Sequence, residues 1–199
     1  MVLEDVAQVR TGIVTARKKA SKGDGFTQEY SLLNLKCIAE PGYLNLKLAE
    51  TYLASEIINR DCITREGDIL VRLSSPYTSV IISEQESGYL VPSHFAIIRV
   101  DRRKAVPEYI LWTLKKDSTK KKIEQNNSGS SAFGTISSGF FSNLKIRDLP
   151  IEQQATIGQL YLLSEKEQKL MLELAEEKKK YNRAIINMAY DSFKRGNKT

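Results

Sequence analysis

Residues 148–170, DLPIEQQATIGQLYLLSEKEQKL, mark the place where the character of the chain changes. The sequence before them is rich in strand-like runs, whereas the sequence from Ile151 to about Phe193 contains no Pro and a single Gly. An uninterrupted segment of this length predicts one helix that reaches on the order of 60 Å, at ~1.5 Å per residue. We therefore predict a domain over residues 1–149, followed by a long coiled-coil helix over residues 150–195.

This predicted helix carries an apolar stripe with coiled-coil spacing. In a heptad register that starts at Leu160, seven of the nine a and d positions are apolar or aromatic, and the exceptions are Glu167 and Glu177. The helix could pack along its own domain, but a domain of about 150 residues is too small to cover it from end to end. We expect a partner helix to contact Leu160, Leu163, Leu170, Leu174, Tyr181, Ile185 and Met188.

The composition favours a polyanionic partner. The chain has 30 Lys and Arg residues against 24 Asp and Glu residues, a net charge of +6 and a pI near 9.2, which is most simply matched by nucleic acid. No apolar run approaches the ~18–20 residues that span a bilayer, and the opening MVLEDVAQVR lacks a signal-peptide pattern. We expect a cytoplasmic protein with no membrane partner.

The cysteines and the histidine do not indicate a metal site. Cys37 and Cys62 are isolated, no Cys-x-x-Cys spacing is present, and His94 is the only histidine. Metal sites usually need three or four ligands of suitable type and spacing. We interpret both cysteines as reduced core residues and His94 as a residue that precedes a strand, so neither a metal site nor a His-based catalytic triad is expected.

Short strand-like runs dominate residues 61–100. A turn at Gly67-Asp68 precedes the apolar run ILV, and FAIIRV follows His94. Several such runs at this spacing predict a compact, mostly antiparallel sheet or small barrel. A helix is predicted to begin at Pro107, which suits a first helical turn, and to become basic towards Lys122. The expected fold class is α/β in the broad sense (α+β).

Three segments carry residue types that contact nucleic acid, since Arg and Lys suit guanine edges and phosphates and Asn and Gln suit adenine edges. ARKKASKGDG is either a surface hairpin or a basic loop near phosphates, and NNSGSSAFGTIS (126–137) is either a linker or a loop that approaches a groove. The third segment follows the Gly-Asp strand. The candidate DNA-binding residues are Arg17, Lys18, Lys19, Arg72, Ser74, Ser75, Tyr77, Lys120, Lys121, Asn126, Asn127, Ser130 and Ser131.

No catalytic motif is complete. SSPY at 74–77 is close to the Asn/Asp/Ser-Pro-Pro-Tyr/Phe motif of amino-methyltransferases, but Ser75 replaces the first Pro and no Gly-rich cofactor loop accompanies it. GSSAFG is not Gly-x-Ser-x-Gly, and no Walker-type loop is present. We interpret SSPY as a turn between strands and expect a non-catalytic protein.

Four motifs, taken in order, carry a family resemblance: GDIL at 67–70, VPEYILWTL at 106–114, NNSGSSAFGTIS at 126–137 and LKIRDLPIEQQATIGQL at 144–160. Together they resemble one half of the specificity (S) subunit of type I restriction–modification systems, over nearly the whole chain. The resemblance implies a target recognition domain that reads one half of a split DNA sequence, followed by a long helix.

The resemblance also implies partners. A usual S subunit holds two such units with their helices antiparallel, whereas this sequence contains one, so we expect a half-length form that self-associates and reads an interrupted palindrome. Double-stranded DNA, adenine methyltransferase (M) subunits and restriction (R) subunits are the implied partners. S-adenosylmethionine, ATP and Mg²⁺ would belong to those subunits, with no cofactor in this chain. The alternatives are a coiled-coil scaffold protein and a recognition module of another DNA-modification system.

Overall fold

The computed structural model describes residues 1–199 apart from 22, 24, 26, 40–41, 128–133 and 197–199. In that part of the chain no helix is long and apolar enough to cross a membrane. Its strands and helices are β1 (Ala7–Thr11), β2 (Gln28–Leu32), β3 (Ile38–Ala39), β4 (Tyr43–Leu44), β5 (Glu50–Ala54), β6 (Ile69–Arg72), β7 (Ser79–Ile81), β8 (Phe95–Val100), α1 (Pro107–Lys115), α2 (Asp117–Asn127), α3 (Ser138–Ser142) and α4 (Ile151–Gly196).

A four-stranded antiparallel sheet, in the order β1-β8-β6-β7, forms the centre of the first 158 residues. Its two inner strands are apolar on both faces, because Ile69, Leu70 and Val71 of β6 and Phe95 to Ile98 of β8 are all buried. Strands buried on both faces have continuous apolar runs rather than alternation. The predicted antiparallel sheet and α+β class are confirmed.

Gly67 and Asp68 form the turn that precedes β6. Gly67 has a φ of +82°, a left-handed conformation that glycine adopts without a steric penalty. Asp68 is buried, and its carboxylate accepts hydrogen bonds from Nε and Nη2 of Arg99 at 2.8 and 2.7 Å. The hydrogen bond to Asp68 raises the pKa of the Arg99 guanidinium. The pair therefore turns the chain and joins the start of β6 to β8.

The apolar-rich run YSLLNLKCI at 30–38 predicts a single strand, but the structure ends that strand early, in a smaller sheet of β2 and β5. The strand β2 ends at Leu32, and a 3-10 turn follows at Leu35–Cys37. Asn34 causes the change, because its side-chain oxygen accepts hydrogen bonds from the backbone N–H groups of Lys36 and Cys37. The Cys37 side chain is buried and Cys62 is half-buried, and both are free thiols.

The predicted basic continuation of the first helix is wrong, since the helix breaks at Lys116. Lys116 has an extended ψ of 143°, and its ammonium lies 4.2 Å from the centre of the Trp112 ring. The buried Thr119 hydroxyl donates to the Thr113 carbonyl at 2.7 Å, which folds α2 back onto the end of α1. The lysines at 120–122 are therefore on a separate helix.

The helix predicted from Ile151 is confirmed as α4. The chain divides into two compact units, Met1–Gly158 and Gln159–Thr199, so the first two turns of α4 belong to the first unit. Within that unit the buried Gln154 side chain accepts from Val106 N–H at 3.0 Å and donates to the Leu149 carbonyl at 2.8 Å. Gln154 thereby binds the start of α4 to the start of α1.

Candidate nucleic-acid interface

The turn at 74–77 brings several predicted residues together. It lies between β6 and β7, with a cis Ser75–Pro76 peptide and Tyr77 at a φ of 55°. Arg72 Nε donates to Ser74 Oγ at 3.2 Å, and Tyr77 Oη donates to the Gly134 carbonyl at 2.8 Å. The predicted reading of SSPY as a turn between strands agrees with this geometry.

This turn also fixes the end of the Ser- and Gly-rich segment. Ser74 forms an antiparallel bridge with Thr135, and Ile136 N–H donates to the Leu73 carbonyl at 2.8 Å. The side chain of Ser75 is exposed beside this bridge. Ser130, Ser131 and the side chain of Asn127 lie outside the described residues.

The basic helix α2 is anchored by one buried edge. Thr119 and Ile123 are buried, while Lys120, Lys121 and Asn126 are exposed. The exposed lysines therefore stand on a helix whose orientation is set by packing rather than on a loop. Such cations are suited to salt-sensitive contacts with phosphates.

At Lys18 and Lys19, the first basic segment is paired with a strand and is less positive than its sequence suggests. Lys19 bridges to Ala54, and Ser55 N–H donates to the Lys18 carbonyl at 3.0 Å, so these two residues extend the β2–β5 sheet. The Lys18 ammonium forms an ion pair with Glu56, and this hydrogen bond raises the pKa of Lys18. Arg17 closes a short 3-10 turn just before it. Glu56 thus offsets part of the charge that a DNA phosphate would meet there.

Three arginines near the sheet have acidic partners. Arg99 contacts Asp68 and, at 3.3 Å, Asp61, while Arg10 contacts Asp61 at 2.6 Å and Arg65 contacts it at 3.3 Å. A guanidinium already paired with a carboxylate is a poorer ligand for phosphate than an unpaired one. The surface of α2 and the segment after α3 is thus the better candidate for contacts with a polyanion.

An open cleft of about 710 Å³ lies between α2 and α3. We call it the α2–α3 cleft, and its described polar and aromatic lining consists of Lys122, Gln125, Asn126, Ser137, Phe140, Asn143 and Lys145. From this set, the sequence indicated Asn126 as a candidate residue and Lys122 as part of the basic cluster on the helix. The i, i+3, i+4 spacing of Lys122, Gln125 and Asn126 was a usable signal, because it places the three on one helix face. No comparable signal links that face to Lys145.

The apolar residues predicted to meet a partner helix are exposed on α4. Leu160, Leu163, Leu170, Leu174, Tyr181, Ile185 and Met188, which we call the α4 stripe, are each between 46% and 71% exposed. A single exposed leucine is ordinary, but a contiguous apolar stripe on one helix marks an interaction surface.

No group of three or more His, Cys, Asp and Glu side chains could hold a metal ion among the described residues. The candidate interface is instead built from cations, amides, hydroxyls and aromatic rings. These are the side chains that position a protein on a nucleic-acid backbone and read base edges.

Comparison with known proteins identifies the fold. No protein-family model matches the chain, and no curated protein matches it. One similar solved structure, from work on the complex assembly and conformational transition of the type I R-M system, has a TM-score of 0.65 at 15% identity. Another, the HsdS subunit from Thermoanaerobacter tengcongensis, has a TM-score of 0.63 at 15% identity. Each comparison covers 90% of this chain and 45% of the other chain.

At this identity the likeness shows the fold, which is that of an HsdS subunit. The chain spans about 45% of the length of each matching chain. The resemblance noted in the sequence motifs is therefore supported at the level of the fold.

Proposed function

We propose that this chain is a DNA sequence-specificity subunit of a type I restriction–modification system, and that it reads one half of a bipartite DNA target. The observation that carries the proposal is the fold shared with an HsdS subunit over 90% of the chain. The order of the GDIL, VPEYILWTL and LPIEQQ motifs supports it independently of the fold comparison. In this role the first 158 residues contact DNA, through the candidate residues of the 74–77 turn and α2.

The chain itself is proposed to be non-catalytic. Its candidate residues can bind and orient DNA, whereas the chemistry of methylation and cleavage would belong to M and R subunits, which would supply the S-adenosylmethionine, ATP and Mg²⁺ sites. The neighbouring HsdS fold supports this division of labour. The role of this chain would be to determine where those subunits act.

A second copy of this chain is the proposed partner of the α4 stripe. An exposed apolar stripe needs a similar stripe, and two copies of one helix provide it. The charges favour an antiparallel pair, because residues 159–177 carry five acidic and two basic side chains, whereas residues 178–195 carry six basic and one acidic. An antiparallel arrangement places the acidic half of each helix beside the basic half of the other.

Two-fold pairing determines the form of the target. Two identical recognition domains related by a two-fold axis read identical half-sites in inverted orientation. The proposed target is therefore an interrupted palindrome whose spacer is set by the paired helices.

Affinity purification of the tagged chain from its own cells, followed by native mass determination, tests the proposal. We expect an adenine-type methyltransferase to copurify, with two copies of this chain in each complex. A bare dimer that binds no DNA would favour a coiled-coil scaffold protein. A dimer that copurifies with a different class of DNA-modifying enzyme would assign the fold to another modification system.

A further inference from the structure

The α2–α3 cleft brings two cations together, Lys122 of α2 and Lys145 of the segment after α3. Within the described part of the chain neither ammonium has an ion-pair or hydrogen-bond partner. No acidic side chain is among the described residues that line the cleft. Gln125, also in the lining, has no side-chain partner among the described residues. The described lining thus presents donors to an incoming group and no competing carboxylate.

Both walls are held in place by the core. On one side, the Ile123 side chain next to Lys122 is buried and anchors α2. On the other, Leu3 N–H donates to the Leu144 carbonyl at 3.0 Å and Ile146 N–H donates to the Met1 carbonyl at 3.1 Å. These bonds fix the backbone on either side of Lys145. A site with fixed walls loses less conformational entropy when it binds a ligand.

The lining of the cleft includes the aromatic ring of Phe140. The half-buried Phe140 ring packs edge-on against the buried Phe141 ring, with 5.3 Å between ring centres and 88° between ring planes. Asn143 Nδ2 donates to the Gly139 carbonyl at 2.9 Å, which orients the Asn143 amide. An apolar ring in the same cleft as two cations matches a sugar–phosphate chain, whose deoxyribose is apolar on one face and whose phosphates flank it.

We infer that the α2–α3 cleft binds the sugar–phosphate backbone of one strand of duplex DNA, with Lys122 and Lys145 on phosphates and Phe140 against a deoxyribose. This inference rests on the proposed function and adds the part of the surface that anchors DNA independently of its sequence. The open shape favours a backbone over a base edge, because an edge in a duplex groove is read by a protruding helix or strand rather than by a cleft. The predicted role is to hold the register from which the 74–77 turn and its neighbours reach the bases.

The inference is tested by the salt dependence of DNA binding. The full chain is titrated against two fluorescently labelled duplexes of unrelated sequence over a range of salt concentrations. Loss of two phosphate contacts in Lys122→Gln/Lys145→Gln is expected to reduce the slope of log K against log [salt] by about 1.8, at ~0.9 per contact. The affinity for both duplexes should fall by the same factor, and Lys122→Arg/Lys145→Arg should restore the wild-type slope.

The matched control is Lys36→Gln/Lys47→Gln, which removes the same charge from two exposed lysines that do not line the cleft. Equal slopes for the cleft variant and this control would overturn the inference while leaving the proposed function intact. Affinity lost for one duplex alone would assign the cleft to base reading instead. Affinity for DNA retained together with loss of a copurifying protein would assign it to an acidic partner segment. Wild-type protein that binds neither duplex at any salt concentration would overturn the proposed function itself.

Discussion

At the scale of single residues, the pair of the buried Asp68 and the half-buried Arg99 is a polar link between the central strands. Asp68→Asn keeps the size of the side chain but leaves the guanidinium without its bidentate carboxylate. Removing the carboxylate from this partly buried pair is expected to lower the free energy of unfolding by about 1–3 kcal/mol. Urea unfolding at a fixed protein concentration measures the change.

Asp101→Asn is the control for this substitution. Asp101 accepts from Arg103 Nε and Nη2 at 3.0 Å, in a similar bidentate geometry, but Arg103 is exposed. The hydrogen bond from Arg103 lowers the pKa of Asp101 to about 2. The contribution of this pair is therefore present above the ordinary Asp range and is lost as the pH falls towards 2. At neutral pH we expect little change in Asp101→Asn, because exposed pairs are screened by solvent. Equal losses in both variants would contradict the structural role of Asp68.

Gln154 offers a second test at this scale. Gln154→Leu would remove the acceptor for Val106 N–H and the donor for the Leu149 carbonyl, so two partly buried backbone groups would lose their partner. We expect a loss of about 1–3 kcal/mol in the free energy of unfolding. Gln153→Leu, at the exposed neighbouring position, should leave the urea midpoint nearly unchanged.

At the scale of elements, the contact between α4 and α1 requires a glycine. Alanine in place of a helical glycine usually stabilises a helix by up to about 1 kcal/mol. At Gly158, however, a Cβ would lie 2.7 Å from Glu108 Cβ and 3.1 Å from Tyr109 N. We expect Gly158→Ala to destabilise the protein by about 1–2 kcal/mol. In Gly139→Ala the nearest atom would be Ser137 Oγ at 3.8 Å, so thermal unfolding of that variant should show no loss.

The helices and strands also show which structural features can be predicted from the sequence. The helix α4 and the strand β6 were predictable, because each rests on a local pattern: a long stretch free of Pro, and a Gly-Asp turn before an apolar run. The break at Lys116 was not, because it depends on the Thr119 hydroxyl finding the Thr113 carbonyl in the packed structure. The run YSLLNLKCI predicts a strand that continues beyond Leu32, whereas in the structure the Asn34 side chain caps a 3-10 turn there.

The candidate site has the same limit: residue types are visible in the sequence, but contacts between distant segments are not. The lysines of α2 and the residues of the 74–77 turn could be selected by residue type, and their role as DNA contacts stays a prediction. Lys145 could not be paired with Lys122, because 22 intervening positions and the fold of α3 bring them to one cleft. The sequence also does not reveal ion pairs between distant residues. The partner of Lys18, for example, is Glu56 on a different segment.

At the scale of the whole molecule, the α4 stripe predicts self-association. Leu170→Glu places a charge in the proposed helix seam and is expected to convert a dimer into a monomer in sedimentation equilibrium. Gln168→Glu introduces the same charge two residues away, at a position outside the stripe, and should leave the dimer intact. If attraction between the acidic half of one helix and the basic half of the other stabilises the dimer, high salt should weaken the wild-type dimer. A wild-type monomer at all concentrations would contradict the pairing.

The most direct test of the central claim is the methylome of cells with and without this chain. The account predicts that an interrupted palindrome is methylated in the parent cells, that this methylation disappears when the chain is deleted, and that it returns with the wild-type chain. Methylation unchanged by the deletion would contradict a specificity role. Loss of an asymmetric bipartite motif, with this as the only specificity chain in the complex, would contradict the homodimer and leave DNA recognition standing.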